Sequence, residues 1–488
     1  MKKQKINNKL PGADFICDLS DLHEPLPHFW EHTVGSGHAT LALRADWQKQ
    51  LTRCKKELGF KHVRFHGLLC DDMGTLVDED DKLVYSFFNA DQICDFLLSI
   101  GMRPFMELSF MPTTLASGDD IVFHYKGNVT PPKDYKAWET LIYKLVNHWV
   151  KRYGIAEVSK WFFEIWNEPS LKAFWTGTQA DYFKLYKYSV RAIKRVSSKL
   201  KVGGPATAKN AWIPQFLNFC NKNNVPIDFI TTHHYPTDAF GRPGDDTIEQ
   251  LAKSRRSVLR EQVIDTKSKA GNKPVYYTEW NTSSNPFDEL HDMPYASAYI
   301  IKTVMEARGY VEGYSYWTFS DIFEENYFSS LPFHGGFGLL TIYGIPKPSY
   351  RAYQVLHNLG DTIFPVTGKH KTIDVWVVHK KGAVQVLVTN SVLPKHHAKT
   401  ETVTIQLTSA NKIKEAYVER IDKNHGNAHK AWVNMGKPDS LTPEQVTQLE
   451  KASTLIKQSF SFTYTNKNVI FEITMPPQGV SCITLITE

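Results

Sequence analysis

Trp161-Phe162-Phe163-Glu164-Ile165-Trp166-Asn167-Glu168-Pro169 is a run of aromatic and apolar residues that ends in an Asn-Glu pair stopped by proline. Successive side chains of a β-strand point to opposite faces, so a period of two puts Phe162, Glu164, Trp166 and Glu168 on one face, with Glu168 last. A second run, Pro274-Val275-Tyr276-Tyr277-Thr278-Glu279-Trp280-Asn281, has the same design: Val275, Tyr277 and Glu279 share a face and a glutamate again ends the strand.

Working outward, short apolar or β-branched runs alternate with longer amphipathic ones from about residue 33 to 320, the pattern of repeated βα units. The expected strands are His32–Gly37, Lys61–Gly67, Arg103–Phe110, Trp161–Glu168, Lys201–Ala206, Asp228–Tyr235, Lys273–Trp280 and Glu312–Phe319. Eight such strands close a barrel, so the predicted fold class is α/β, a (β/α)8 TIM barrel. Helices are expected over Arg44–Leu58, Ala90–Ile100, Asp134–Tyr153, Gln179–Ser198 and Pro294–Arg308. Beyond about residue 356 alternating strands with tight turns predict a C-terminal β-sandwich-like domain, interrupted by a helical insertion around Pro443–Ala452. The division is an N-terminal segment (1–29) packing on the C-terminal domain, a catalytic barrel (30–355) and an accessory domain (356–488).

Composition narrows the function classes. At 488 residues, 42% hydrophobic and 13% aromatic, the chain has material for a large barrel plus a smaller partner. The formal charge of +6 is spread among interspersed acidic and basic residues, which reads as a solvated surface and against nucleic acid. A basic start, Met1 to Lys9, is followed by Leu10-Pro11-Gly12-Ala13-Asp14 where a secretory signal needs an apolar run. No stretch is long and apolar enough to span a bilayer. Six scattered cysteines without a Cys-x-x-Cys spacing read as reduced packing residues of a cytoplasmic protein, which makes the Asn128-Val129-Thr130 sequon irrelevant.

Barrel enzymes work at the carboxyl ends of their strands. Glu168 and Glu279 close strands 4 and 7, on nearly opposite sides of the mouth, so two carboxylates face each other across a pocket. That suits glycosidic cleavage, in which one acid protonates the leaving oxygen while the other attacks the anomeric carbon. The charge on Glu279 is expected to keep Glu168 protonated until the attack, after which Glu168 ionises and activates water. A glutamate on its own more often caps a helix or sits in a surface ion pair; the pairing and position of these two favour chemistry.

The segments Trp161 to Pro169, Tyr277 to Ser283, Tyr316-Trp317-Thr318-Phe319-Ser320-Asp321, Phe333-His334-Gly335-Gly336-Phe337-Gly338 and Gly127 to Tyr135 resemble family 39 glycoside hydrolases, bacterial β-xylosidases in particular. The likeness extends into the C-terminal domain at Gly426-Asn427-Ala428 and Met435-Gly436. It implies a retaining mechanism with Glu168 as acid/base and Glu279 as nucleophile, a carbohydrate substrate, and homo-oligomers as a state common among relatives. The sequence departs at Ser170, where the family usually has Asn or Asp.

Further pocket residues carry two readings each. His233 and Tyr235 share a face and His234 takes the other, so adjacent histidines do not share a metal; His233 as a sugar-hydroxyl ligand and Tyr235 as a donor to Glu279 agree with the family, against plain core packing. His66 is read as a hydroxyl ligand, while Arg64 either holds Glu279 ionised or pairs with Glu164. Asn167 is expected on the sugar 2-hydroxyl, Trp317 as an apolar floor, Phe174 as a wall, and Glu324 rather than Glu325 as a hydroxyl ligand from the loop after strand 8. No metal and no cofactor are expected. The expected activity is release of xylose from non-reducing ends of short xylo-oligosaccharides. Alternatives are β-glucosidase, β-galactosidase, α-L-arabinosidase or α-L-iduronidase activity in the same family, or a sugar-binding protein without catalysis. A uronic acid calls for a cation beside His233, where the sequence supplies His234, Tyr235 and Pro236.

Overall fold

The computed structural model describes residues 12–80, 82–237, 246–325, 329 and 331–488. Residues 1–11, part of the expected N-terminal segment and all of the basic start, lie outside the described residues. The eight expected strands form a closed, all-parallel barrel: β1 (Thr33–His38), β2 (His62–His66), β3 (Arg103–Leu108), β4 (Phe162–Ile165), β5 (Lys201–Thr207), β6 (Phe229–His234), β7 (Val275–Trp280) and β8 (Gly313–Tyr316).

Local signals set the helices between them. Asp134 accepts from the Lys136 N–H at the start of Tyr135–Tyr153, and Thr178 with Asp181 builds a capping box on Gln179–Val196. Each such cap satisfies backbone donors that a helix leaves free and contributes about 1 kcal/mol. Ala45–Leu58 ends at Gly59, whose φ of 75° returns its N–H to Lys55 O.

The barrel floor is aromatic. Phe105, Phe162, Phe229 and Tyr276 pack together from β3, β4, β6 and β7, with the Phe105 and Phe162 rings stacked 5.0 Å apart. Gly203 on β5 makes room: a Cβ there would lie 2.3 Å from the Phe229 ring. This aromatic layer closes the barrel beneath the polar side chains of the site.

Strict alternation fails at the two places that matter most. β4 ends at Ile165; Trp166 has a φ of 71° and Glu168 one of 43°, so the chain twists out of strand geometry. Trp166 therefore turns outward, packing its ring against Trp138 and Trp175, while Glu164 stays inside. In β7 the pairing slips on both sides of Thr278, a β-bulge. Tyr277 points out to Thr266 on the helix Val258–Ala270, Thr278 points in to Glu164, and the extra residue brings Glu279 inward as well. The expected shared faces Phe162/Glu164/Trp166/Glu168 and Val275/Tyr277/Glu279 are thus corrected, although both glutamates reach the mouth.

The last barrel helix runs Pro348–His357, just past the expected boundary at 355. Beyond it a 5-stranded and a 7-stranded sheet enclose a second core that includes Val377, Val386, Ile405, Phe471 and Ile483. The strand Phe15–Asp18 inserts between Thr367–Gly368 and Glu401–Thr408, so this part of the expected N-terminal segment belongs to the sandwich. Helices Ala428–Asn434 and Pro443–Ser453 form the helical insertion. Among the described residues no helix is long and apolar enough to cross a membrane.

Candidate active site

Arg64 on β2 is the centre of the polar layer. Its guanidinium is fully buried and meets Glu164 Oε2 at 2.6 Å, Glu107 Oε2 at 2.7 Å, Glu279 Oε1 at 2.9 Å and Asn167 Oδ1 at 2.9 Å. Burial opposes that charge, but the three glutamates outweigh it and raise the guanidinium's pKa above its ordinary value. Arg64 thus makes both contacts the sequence left as alternatives. Glu107, inside β3, is held below the usual carboxylate range because Arg64 and His66 overcome the burial that would raise it. Its oxygens accept from His66 Nδ1 at 2.7 Å and from the Ser109 hydroxyl.

Glu279 lies at the top of this network, with Arg64 and His66 Nε2, 3.4 Å away, on one oxygen and the Tyr235 hydroxyl donating at 3.0 Å to the other. Burial raises its carboxyl above the ordinary value, and Arg64, His66 and Tyr235 act against that rise. Tyr235 remains a phenol donor, its own pKa pushed far up by burial and by the charges of Glu279 and Glu168.

Glu168 follows the twisted end of β4, pinned where its N–H donates to Ala206 O of β5 at 2.8 Å. Its Oε1 lies 3.0 Å from His233 Nδ1, and one oxygen each of Glu168 and Glu279 fall within 4.8 Å of one another. Both glutamates line a cavity of about 420 Å³ with Asn167, His66, Phe174, Tyr235 and Trp317. Gly35 on β1 lets Trp317 lie flat against the barrel end, since a Cβ there would stand 2.4 Å from its ring. The Phe174 ring packs against Phe123 at 5.5 Å, and Phe123 completes that wall.

Two expected residues sit elsewhere. Glu324 faces His38, 3.6 Å from Nδ1, whereas Glu325 lines the cavity 3.4 Å from His66 Nε2, so the loop residue at the site is Glu325. Burial and the charges of Glu279, Glu168 and Glu107 hold the Glu325 carboxyl well above its usual range, which favours the protonated, hydrogen-bond-donating form. His233 is fully buried with both ring nitrogens engaged, by Glu168 and by Thr278 Oγ1 at 3.1 Å. It therefore stands behind the acid and does not line the cavity as a sugar ligand. Ser170 Oγ accepts from the Ala208 N–H, a bond in the loop beyond the two glutamates.

Glu107, Thr278, Phe123 and Lys209 were not singled out in the sequence, and Glu325 was weighed there only as the lesser choice beside Glu324. Glu107 carried the same signal as Glu164, a lone glutamate inside an apolar strand; a loop residue such as Lys209, an exposed cation at the cavity, carried none. Glu168, His233 and Glu279 could present three ligand atoms to a cation, but the Arg64 guanidinium already occupies one side of Glu279 with positive charge.

The family profile of glycosyl hydrolases family 39 matches residues 18–468. The chain belongs to glycosyl hydrolase family 39. It is a glycosidase acting on carbohydrate. It is 51% identical over 463 residues to a β-xylosidase of Caldicellulosiruptor saccharolyticus, covering 94% of this chain and 95% of that one. It is 38% identical to a β-xylosidase of Geobacillus stearothermophilus, covering 87% and 86%. A solved family 39 β-xylosidase from Caulobacter crescentus superposes with a TM-score of 0.82 at 33% identity, covering 97% of this chain and 99% of the other.

Proposed function

We propose that the chain is a retaining, exo-acting β-xylosidase that releases xylose from the non-reducing ends of short xylo-oligosaccharides, with Glu168 as acid/base and Glu279 as nucleophile. The carrying observation is the pair of carboxylates at the ends of β4 and β7, their oxygens within 4.8 Å of one another. Retaining enzymes keep the two groups about 5–5.5 Å apart and inverting ones about 6.5–9.5 Å, to admit a water between them. Glu279 attacks the anomeric carbon while Glu168 gives its proton to the departing oxygen; the ester of Glu279 is then opened by a water that returns a proton to Glu168. Asn167, held by Arg64, presents its amide to the 2-hydroxyl, a contact that strengthens in the transition state.

Xylose as the sugar rests on the relatives named above and on a cavity of about 420 Å³ with aromatic walls at Trp317, Phe174 and Phe337. A pentose lacks the exocyclic hydroxymethyl group, so such a wall rejects glucose by overlap, beyond the ~1–3 kcal/mol of a missing methylene contact. Six buried, unpaired cysteines fit a reducing compartment such as the cytoplasm, with oligosaccharides already taken up as substrate. Lys209 does bring a cation to the cavity, though not from beside His233, so the test panel includes an acidic sugar. We expect the highest kcat/KM on aryl β-xyloside among β-xyloside, β-glucoside, β-galactoside, α-L-arabinoside and α-L-iduronide. Preference for any other glycoside, or internal fragments from xylan before free xylose, overturns the reading.

A further inference from the structure

His233 raises a question of proton placement that hydrogen-bond counting answers. Thr278 has one hydroxyl hydrogen and two neighbours, Glu164 Oε1 at 2.8 Å and His233 Nε2 at 3.1 Å. Glu164 is ion-paired through its other oxygen to Arg64, a group with donors only, and takes the Thr278 hydrogen as an acceptor. The Thr278 oxygen is then left to accept, and of these two neighbours it is His233, through Nε2–H, that can give. A neutral imidazole carries one hydrogen, so Nδ1 is bare, and the group it faces at 3.0 Å, Glu168 Oε1, must be the donor.

We propose that Glu164 and Thr278 lock His233 in its Nε2–H tautomer, so that the bare Nδ1 accepts a hydrogen bond from the protonated carboxyl of Glu168 and keeps that acid protonated for the first step. This rests on the acid/base reading of Glu168. Burial, with Arg64, His66 and His234 nearby, holds His233 well below the ordinary histidine value and so keeps it neutral. Glu279 Oε2 lies 3.6 Å from Nδ1, too far to be its partner. The same lone pair makes the Glu168 carboxylate a stronger base in the second step, when it must take a proton from water. The other charged or titratable groups facing the pair are Glu279 from β7, Arg64 and His66 from β2, Glu107 from β3, Tyr235 after β6 and Glu325 after β8. His233 and Thr278 are positioning residues here, because they act through Glu168.

The test is the pH profile of Thr278→Val and Thr278→Ser on a phenyl β-xyloside and on a dinitrophenyl β-xyloside. Without the hydroxyl, the imidazole is free to present Nδ1–H to Glu168, which stabilises the carboxylate. We expect Thr278→Val to move the alkaline limb of kcat/KM down by about one pH unit and to cut activity about tenfold on the phenyl substrate, with much less loss on the dinitrophenyl one. Thr278→Ser, which restores the hydroxyl, is expected to return the limb to its wild-type position. An unmoved limb in a folded Thr278→Val, equal losses on both substrates, or a Thr278→Ser that does not restore the limb overturns the lock. Should Thr278→Val not fold, 15N spectra of the histidine-labelled wild-type protein read the tautomer directly: bare Nδ1 at His233 supports the proposal, and Nδ1–H or an imidazolium overturns it. Glu168→Ala separates the two ideas. If it shows no selective loss on the phenyl substrate, the acid/base assignment fails; if it shows that loss while the lock's tests fail, only the lock is wrong.

Discussion

Replacing Arg64 with methionine removes the one cation shared by three buried glutamates. For Glu279 the sign follows from its surroundings: burial pushes its carboxyl up and Arg64 is the first influence pulling it back. A unit charge pair about 4 Å apart at an effective dielectric of about 20 is worth about 4 kcal/mol, which is roughly 3 pH units at one catalytic group. Glu107 loses the same partner and takes up a proton more readily too, which relieves part of the repulsion, so the expected displacement is about 1–3 pH units. Attack needs ionised Glu279, and activity is lost as pH falls through its pKa. The acidic limb of kcat/KM therefore moves upward in Arg64→Met, by at least about one unit. The assay is a pH profile on an activated aryl β-xyloside, where leaving-group protonation matters little, with circular dichroism to confirm folding. Breaking a buried ion pair costs about 3–5 kcal/mol, so the variant is also expected to melt lower. A folded Arg64→Met whose acidic limb coincides with wild type refutes the electrostatic account of the site.

Glu168→Ala is expected to lose about 10²–10⁴-fold on substrates with poor leaving groups and far less on activated ones, with azide accelerating turnover to a β-configured product; uniform losses without an azide effect exclude the acid/base role. Glu325→Ala is expected to lower kcat/KM on aryl xyloside about tenfold, the size of one lost hydrogen bond in a buried site, and Glu324→Ala to change it less than about threefold, since its carboxylate faces His38. The reverse ranking would restore Glu324 as the ligand. Lys347 is fully buried, 2.7 Å from both Asp292 and Asp321, so Lys347→Met strands two carboxylates and is expected to cost about 3–5 kcal/mol; a melting temperature unchanged from wild type in calorimetry contradicts this.

The barrel was legible because its signal is repeated: short apolar or β-branched runs alternate with longer amphipathic ones, and the eight expected segments fall within a few residues of the strands observed. The two glutamates were legible because strand ends are where a barrel exposes chemistry. What alternation could not supply was side-chain aim beyond the last regular hydrogen bond. Trp166 leaves the expected face through a left-handed backbone, and Thr278 joins Glu279 inside through a bulge, neither of which a period of two can encode. Glu324 and Glu325 are adjacent, and only the path of their loop decides which carboxylate enters the cavity. His233 was placed on the right face but one layer too far forward, because a sequence does not show that both its nitrogens are already taken.

The most direct test of the central claim is to trap the covalent intermediate. A dinitrophenyl 2-deoxy-2-fluoro-β-xyloside destabilises the oxocarbenium-like transition states of both steps while its leaving group keeps the first one fast, so the glycosyl-enzyme accumulates. Mass spectrometry of the digested protein is expected to find one fluoroxylosyl group per chain, attached to Glu279. No adduct, or an adduct on Glu168 or any other residue, would contradict the assignment of the nucleophile and with it the mechanism.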